Sequence, residues 1–303
     1  MTETNWAKRL EDLVIAIDPE TTAFMRANAN AVQRAVEGKG PDDGTADPRA
    51  GARMVVNISS AHVPGFCAAS RDDDPHAYKN AYDLGKYRLG DSPPPALLPA
   101  RVIVDRALPI APLTAERIYF GALELNGTGI RFYGDICLVL ARGKVDGETV
   151  ILDRNSYDLI RSPIREIIDG TANPDQTRKE QAWRMRGLWK KDLGSMASHK
   201  VLSMLGVRSR RCTTGQISEA LRDDEDYIEI LRDGSFNAKD LQEARISAPE
   251  AGRDAFTADR LSSGPAPRME VLLWRERRRK AEEELRLTEV PVSVVTTSGR
   301  VKD

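Results

Sequence analysis

A glutamate in the last third of the chain, Glu229, has the strongest claim to a chemical role. It lies in the segment 226–234, whose alternation predicts a β-strand with isoleucines on one face and Tyr227, Glu229 and Leu231 on the other. Gly234 then predicts a turn. A carboxylate between two large side chains on a half-buried face needs a reason, which is either a catalytic role or a place on the solvated face of an edge strand. The pattern alone leaves both interpretations open.

The remainder of the chain predicts the elements that would hold this strand in a core. Helical patterns at both ends enclose a middle region rich in strand patterns, which favours a mixed α+β unit. At 303 residues the chain can bury a sizeable core. We expect helices at 5–17 and 21–36, a loop at 38–51, a strand at 54–58, a short helix at 63–69, a long polar loop at 71–99, strands at 101–105, 118–125, 130–141 and 149–152, and helical structure from 163 to 205.

Composition argues against several classes of protein. No run approaches the roughly 18 apolar residues of a membrane span, and residues 1–5 lack the basic and apolar character of a signal peptide. We therefore expect no membrane partner and a cytoplasmic location. The three cysteines are odd in number and widely spaced, which predicts neither a disulfide framework nor a Cys-x-x-Cys metal site.

Histidines give no metal motif either, because the three of them lie far apart in the sequence. We therefore expect no metal site built on histidine or cysteine. A metal-dependent nuclease remains one alternative, since carboxylates alone can bind an ion such as magnesium. Its candidate residues are Asp135 at a strand start, Glu148 or Asp153, and Lys144.

Basic residues are concentrated between residues 177 and 212, although the net charge of the whole chain is only -1. Trp183 and Trp189 lie among them, and basic side chains interleaved with aromatic rings suit a nucleic-acid surface. The same pattern describes a helical hairpin with buried tryptophans and a solvated basic face. A second run at 275–280 precedes acidic residues and predicts a solvated helix. The candidate nucleic-acid contacts are Arg178, Arg184, Arg186, Lys190 and Lys191.

Three segments share their order and residue pattern with a known enzyme fold. They are the strand at 54–58 with its polar residues 57–59 and the helix reaching Ser70, the segments 129–140 and 153–157, and the strand 227–229 with its glycine turn and a helix near Leu241. Together they resemble the ADP-ribosyltransferase fold, in the branch of toxins that act on DNA, over residues of about 54–245. The resemblance implies an α+β fold with a split mixed sheet, N-terminal helices, a helical insertion and a C-terminal helix.

The resemblance also implies an activity, transfer of ADP-ribose from NAD to a macromolecular acceptor, with NAD as the substrate. Glu229 stands where the family has its catalytic glutamate. Asn57 stands where the family has His or Arg in its first motif. Arginine is the less expected acceptor because no second Glu or Gln lies two residues before Glu229. The residues implied at the NAD site are Asn57, Ser59, His62, Arg88, Tyr133 and Ser156, and either Tyr133 or Tyr119 is expected to stack on nicotinamide.

Three regions follow from this organisation: an N-terminal helical segment at 1–50, a catalytic domain at 51–245 with a basic helical insertion at 163–211, and a C-terminal linker and charged helix at 246–303. A different function class remains beside the enzyme. It is a non-catalytic binding protein of the same fold, which would act through the basic helical segment.

Overall fold

The fold is built on one eight-stranded mixed sheet with helices packed against it. A computed structural model describes residues 5–15, 18–39, 51–80, 82–84, 117–156, 186–205, 217, 220–223 and 226–296. The strands are β1 (Arg53–Ile58), β2 (Ile118–Glu124), β3 (Ile136–Leu140), β4 (Val150–Leu152), β5 (Arg186–Leu188), β6 (Arg222–Asp223), β7 (Asp226–Tyr227), β8 (Glu229–Asp233), β9 (Leu241–Ser247) and β10 (Val292–Val295).

The order across the sheet is β10-β9-β3-β1-β2-β8-β4-β5, and β6 pairs separately with β7. Only β9 and β10 are parallel among the described pairs of this sheet. The helices described are α1 (Trp6–Val14), α2 (Pro19–Glu37), α3 (Val63–Arg71), α4 (Trp189–Leu205), α5 (Ala248–Ser263) and α6 (Met269–Leu287), together with 3-10 turns at Arg131–Tyr133, Arg142–Lys144 and Ala238–Asp240.

Local sequence signals set the N-terminal helices as expected. Asp18 caps α2, because its side chain accepts a hydrogen bond from the Thr21 N–H at 2.8 Å. Pro19 occupies the first turn, where a missing N–H costs nothing. Gly38 ends the helix at a φ of 77°, a conformation that glycine adopts without strain. The expected break between the two helices therefore lies where the sequence placed it.

The two faces of the sheet differ in what they bury. On the first face, Met54, Leu138 and Ile230 join a large apolar core to which α1, α2, α3, α4 and α6 contribute side chains. Because successive strand residues point to opposite faces, Val55 and Tyr227 belong to the second face, in a smaller apolar cluster. Helical packing is thus concentrated on the first face, and the second face is where the candidate site lies.

The coarse expectation of an α+β fold is confirmed, with differences in detail. The sheet is one hydrogen-bonded series and is not split within the described residues. Residues 186–188 form an edge strand where helix was expected, and the turn at 238–240 leads into β9 where a helix was expected near Leu241. The strand expected at 130–141 begins only at Ile136. The strand expected at 101–105 lies outside the described residues.

The C-terminal region also differs from the expected linker and charged helix. It forms two helices and then β10, which pairs in parallel with β9 and so completes the sheet. A strand of three or four residues has no reliable local signal, because its stability comes from pairing with a neighbour that is distant in sequence. The helix α4 packs against α1 and α2 rather than standing apart as an insertion. No helix among the described residues is long and apolar enough to cross a membrane.

Candidate functional site

Glu229 is buried in the middle of the sheet. Its strand, β8, pairs with β2 on one side and with β4 on the other, so that Glu229 lies beside Ala122 and Leu152. Only 2% of the residue is exposed to solvent. The interpretation of Glu229 as a solvated edge-strand residue is therefore wrong. A buried carboxylate carries a desolvation cost, which is tolerated where partners or function require the charge.

The backbone of Ser156 positions this carboxylate. Its N–H donates a hydrogen bond of 2.8 Å to Oε2 of Glu229, across the end of β4. The Ser156 side chain is fully buried, and its Oγ has no hydrogen-bond partner within the described structure. Nearby, the buried Lys200 of α4 donates from Nζ to the carbonyl oxygen of Asp153 at 2.8 Å, which ties this strand end to the helical layer. The glutamate is thus held in one orientation by a main-chain donor.

A cavity of ≈ 420 Å³ opens beside Glu229. Side chains of the second face, such as Val55 and Ala122, lie along its floor, and the segment 78–84 and the 3-10 turn at 131–133 border it. Its polar residues are few among many apolar and aromatic ones, which is typical of a small-molecule site. The lining comprises Val55, Val56, Asn57, Tyr78, Lys79, Asn80, Tyr82, Leu84, Ile118, Phe120, Gly121, Ala122, Ile130, Tyr133, Tyr227 and Glu229.

Asn57 lines the cavity but already has three hydrogen bonds within the protein. Its Nδ2 donates to the carbonyl oxygens of Thr128 and Gly134, at 2.9 and 3.1 Å. Its Oδ1 accepts from the N–H of Ile130 at 2.8 Å. Both amide protons are engaged, so Asn57 fixes the segment 128–134 onto the sheet. This geometry gives Asn57 a positioning role, whereas the resemblance implied a contact with NAD.

Two further buried side chains hold the same segment. The carboxylate of Glu124 accepts from the N–H groups of Leu125 and Gly129, and Arg245 donates to the carbonyl oxygen of Gly127 at 3.0 Å. At Gly129 the φ of +63° favours glycine, and a Cβ there would lie 2.3 Å from Oδ1 of Asn57. The turn that carries Tyr133 to the cavity is therefore rigidly anchored. Tyr133 itself is 55% exposed at the cavity rim.

Residues 78–80 and 82–84 form another part of the cavity wall, in a region that the sequence predicted only as a long loop. Oδ1 of Asn80 accepts from the N–H groups of Tyr82 and Asp83, both at 2.9 Å. The hydroxyl of Tyr119 donates to Asp83 at 2.7 Å, and burial with this carboxylate raises the pKa of Tyr119. Tyr119 thus holds this loop through Asp83 and does not line the cavity. Tyr133 does line it.

Tyr78 anchors the beginning of this wall. Its ring stacks on Phe236 with centroids 4.5 Å apart, and burial raises the pKa of Tyr78 to about 12. Its backbone N–H donates to the carbonyl oxygen of Phe236 at 3.0 Å. The length of the polar loop was the signal in the sequence that pointed to these residues, because such a loop is uncommon unless it is functional.

The other residues implied at the NAD site are dispersed. Ser59 and His62 lie between β1 and the start of α3, and neither lines the cavity. The Ser59 hydroxyl accepts from the Ala61 N–H at 3.3 Å, while His62 is exposed. Arg88 lies outside the described residues. The structure therefore brings together Glu229, Ser156, Asn57 and Tyr133, and leaves Ser59 and His62 apart from them.

The carboxylates of the nuclease alternative do not converge within the described residues. Asp135 accepts a hydrogen bond from the Ser60 N–H at 2.7 Å and lies 3.7 Å from Nη1 of Arg278. Lys144 instead forms an ion pair of 2.8 Å with Asp240. No group of three or more potential metal ligands is present among the described side chains.

The basic segment is partly described. Lys190 and Lys191 are exposed at the start of α4, and Arg186 is half-buried in β5. Trp189 packs against the main core, as the helical-hairpin interpretation expects. The indole of Trp6 donates to the carbonyl oxygen of Arg186 at 3.0 Å. Arg178, Arg184 and Trp183 lie outside the described residues.

Comparison with protein-family models, curated proteins and solved structures finds no match to this chain.

Proposed function

We propose that this protein is an NAD-dependent ADP-ribosyltransferase of the α+β class, with Glu229 as its catalytic residue. The observation that carries the proposal is the burial of a single oriented glutamate beside an aromatic-lined cavity of ≈ 420 Å³. The order of the three sequence segments supports the same family.

A carboxylate in this position suits cleavage of the bond between nicotinamide and ribose. That reaction passes through a ribose with oxocarbenium character, and a negative charge beside the sugar stabilises it, as in glycoside hydrolysis. The N–H of Ser156 holds Oε2 of Glu229, which leaves the orientation of the carboxylate fixed before substrate arrives. The acceptor atom then bonds to the anomeric carbon and releases its proton to solvent, and nicotinamide leaves with the electron pair of the broken bond.

The aromatic side chains of the cavity wall suit the nicotinamide ring of NAD. Tyr82, Phe120, Tyr133 and Tyr227 line the same space as Glu229. Aromatic faces attract a flat cationic ring such as nicotinamide in its oxidised form, by about 0.5–2 kcal/mol for each contact. The volume lies within the range of roughly 300–1,000 Å³ that is usual for small-molecule sites. Nicotinamide with its ribose is therefore the part of NAD that we place here.

Release of free nicotinamide from NAD tests the activity directly. Chromatographic measurement should show release that depends on protein concentration. A non-catalytic binding protein of the same fold would bind NAD or its acceptor without releasing nicotinamide. Absence of release, with and without nucleic acid, would contradict the enzymatic proposal.

A first prediction concerns the segment 78–84, which should be protected by NAD. Lys79, Tyr82 and Leu84 line the cavity, and Leu84 is 54% exposed. Bound substrate should cover these side chains, so chymotrypsin cleavage after Tyr82 or Leu84 should slow by about fivefold or more at saturating NAD. Mass spectrometry of the fragments measures the effect. Cleavage after the exposed Phe256, far from the cavity in sequence, is the internal control. Equal rates at Leu84 with and without NAD would remove this segment from the site.

A second prediction concerns the acceptor, which we propose to be nucleic acid held by the basic segment. Replacing both Lys190 and Lys191 by glutamine should weaken DNA or RNA binding and lower the salt slope by roughly one unit for each lost phosphate contact. Fluorescence anisotropy over a series of salt concentrations measures this. NAD cleavage without acceptor should persist, because neither lysine lines the cavity.

The matched control for this double variant is Lys239→Gln, since Lys239 is an exposed lysine outside the basic segment. Its binding should equal that of the wild type. If the double variant also binds as the wild type does at every salt concentration, the basic segment is not the acceptor surface.

A cytoplasmic location remains a prediction of the sequence.

A further inference from the structure

The two C-terminal helices expose an unusual amount of apolar surface. We use the word tip for residues 253–280, which comprise most of α5, the connection to α6 and the first three turns of α6. From 261 to 274 nearly every residue is exposed. Single exposed apolar side chains are ordinary, whereas several large ones close together in sequence indicate a candidate interaction surface. The exposed apolar residues of the tip are Phe256, Leu261, Met269, Val271, Leu273 and Trp274, at 61, 49, 70, 41, 51 and 40% exposure.

The tip is also strongly basic. It holds eight basic and four acidic residues. Among the described side chains, Asp254 and Glu276 are paired with Arg278 and Arg279, whereas six basic residues and the acidic residues Asp259 and Glu270 have no ion pair. Two of these unpaired arginines lie over exposed rings: Arg260 is 5.5 Å from the ring centroid of Phe256, and Arg277 is 5.6 Å from that of Trp274. The unpaired basic residues are Arg253, Arg260, Arg268, Arg275, Arg277 and Lys280.

The base of the tip is fixed to the rest of the protein. Arg278 is buried, donates to both carboxylate oxygens of Asp254 in α5, and lies near Asp135 at the start of β3. One turn further along α6, Ala281 and Leu285 are buried in the main core. The exposed side chains are therefore presented on a backbone held at its base, which lowers the entropy cost of binding.

We propose that this tip is a docking surface for a protein partner that presents an acidic and apolar face. Arginine, tryptophan, phenylalanine and methionine are the residues enriched in protein interfaces, and lysine is depleted there. The tip has this composition, with five unpaired arginines and one unpaired lysine. Val271 and Leu273 add exposed apolar surface that contacts with phosphate do not use, which favours a protein partner with apolar side chains of its own. A second copy docking tip to tip would oppose like charges at close range.

A synthetic amphipathic peptide provides the test. The probe is a 20-residue helix with a leucine stripe and glutamates on its other faces, and a control peptide has the leucines replaced by glutamine. We expect fluorescence anisotropy to show that the probe binds the full chain. This binding should weaken as the salt concentration increases. The control peptide should bind at least about tenfold more weakly, because it lacks the apolar contacts.

Variants of the chain locate the contact. Trp274→Ala and the pair Arg275→Glu with Arg277→Glu should each weaken probe binding by about tenfold or more. The matched controls are Leu287→Ala and Arg286→Glu, an exposed apolar and an exposed basic residue at the other end of α6. They should leave binding unchanged.

Several results would overturn the proposal. The first two are equal binding of both peptides and probe binding that the tip variants do not change. A third is that the tip binds single-stranded oligo(dT) or phosphatidylserine vesicles more tightly than it binds the probe. The last is a dimer in sedimentation that Trp274→Ala abolishes. NAD cleavage by the tip variants should equal that of the wild type, so failure of this proposal and failure of the enzymatic one are distinguishable.

Discussion

Replacing Glu229 by glutamine is expected to abolish NAD cleavage, with a loss of about 10³-fold or more in the rate of nicotinamide release. The substitution keeps the shape of the side chain, and its amide oxygen can still accept the hydrogen bond from the Ser156 N–H. It removes only the negative charge that would stabilise the ribose as the bond to nicotinamide breaks. Because the interaction grows in the transition state, the loss should appear in kcat more than in KM.

Folding of this variant must be measured with its activity. Circular dichroism and urea unfolding should place its free energy of unfolding within about 1 kcal/mol of the wild type, since packing and the Ser156 contact persist. Glu243→Gln is the matched control, as Glu243 is a glutamate of the same sheet that lies outside the cavity. We expect that control to retain NAD cleavage. A folded Glu229→Gln protein with wild-type turnover would refute the assignment of Glu229.

The largest effect on stability is expected from Asn57→Leu. Leucine has the same branching but cannot hydrogen bond, so the carbonyl oxygens of Thr128 and Gly134 and the N–H of Ile130 each lose the hydrogen bond that Asn57 supplies. A buried polar group without a partner costs about 1–3 kcal/mol, so the free energy of unfolding should fall by roughly 3 kcal/mol or more. Chemical denaturation monitored by tryptophan fluorescence measures this change. NAD cleavage should also decline, because the same segment carries Tyr133 to the cavity.

Ser59→Ala is the control for Asn57→Leu, because it tests whether any substitution at the end of β1 lowers stability. Ser59 follows β1 directly, and its hydroxyl has one long contact of 3.3 Å with the Ala61 N–H. Its removal should change stability by no more than about 0.5 kcal/mol. If Asn57→Leu instead keeps full stability and loses only NAD affinity, Asn57 contacts the substrate and does not anchor the segment 128–134.

Local sequence was sufficient for the elements whose signals are short in range. The break between α1 and α2 follows from Asp18 as a cap and Pro19 after it, and Gly38 ends α2. Alternation was sufficient for the two faces of the segment 227–230, because the isoleucines at 228 and 230 belong to the main core and Tyr227 belongs to the second face. These outcomes depend on period and capping, which a chain carries within a few residues.

Tertiary structure decided the burial of Glu229 and the composition of its site. Whether β8 lies at an edge or in the centre depends on β2 and β4, which pair with it from distant parts of the sequence. Alternation is the same in both positions, so the pattern could not distinguish a solvated glutamate from a buried one. The role of Asn57 was hidden for the same reason, since its partners lie more than 70 residues away. Short strands such as β5 and β10 likewise exist through pairing with distant neighbours, which no local pattern records.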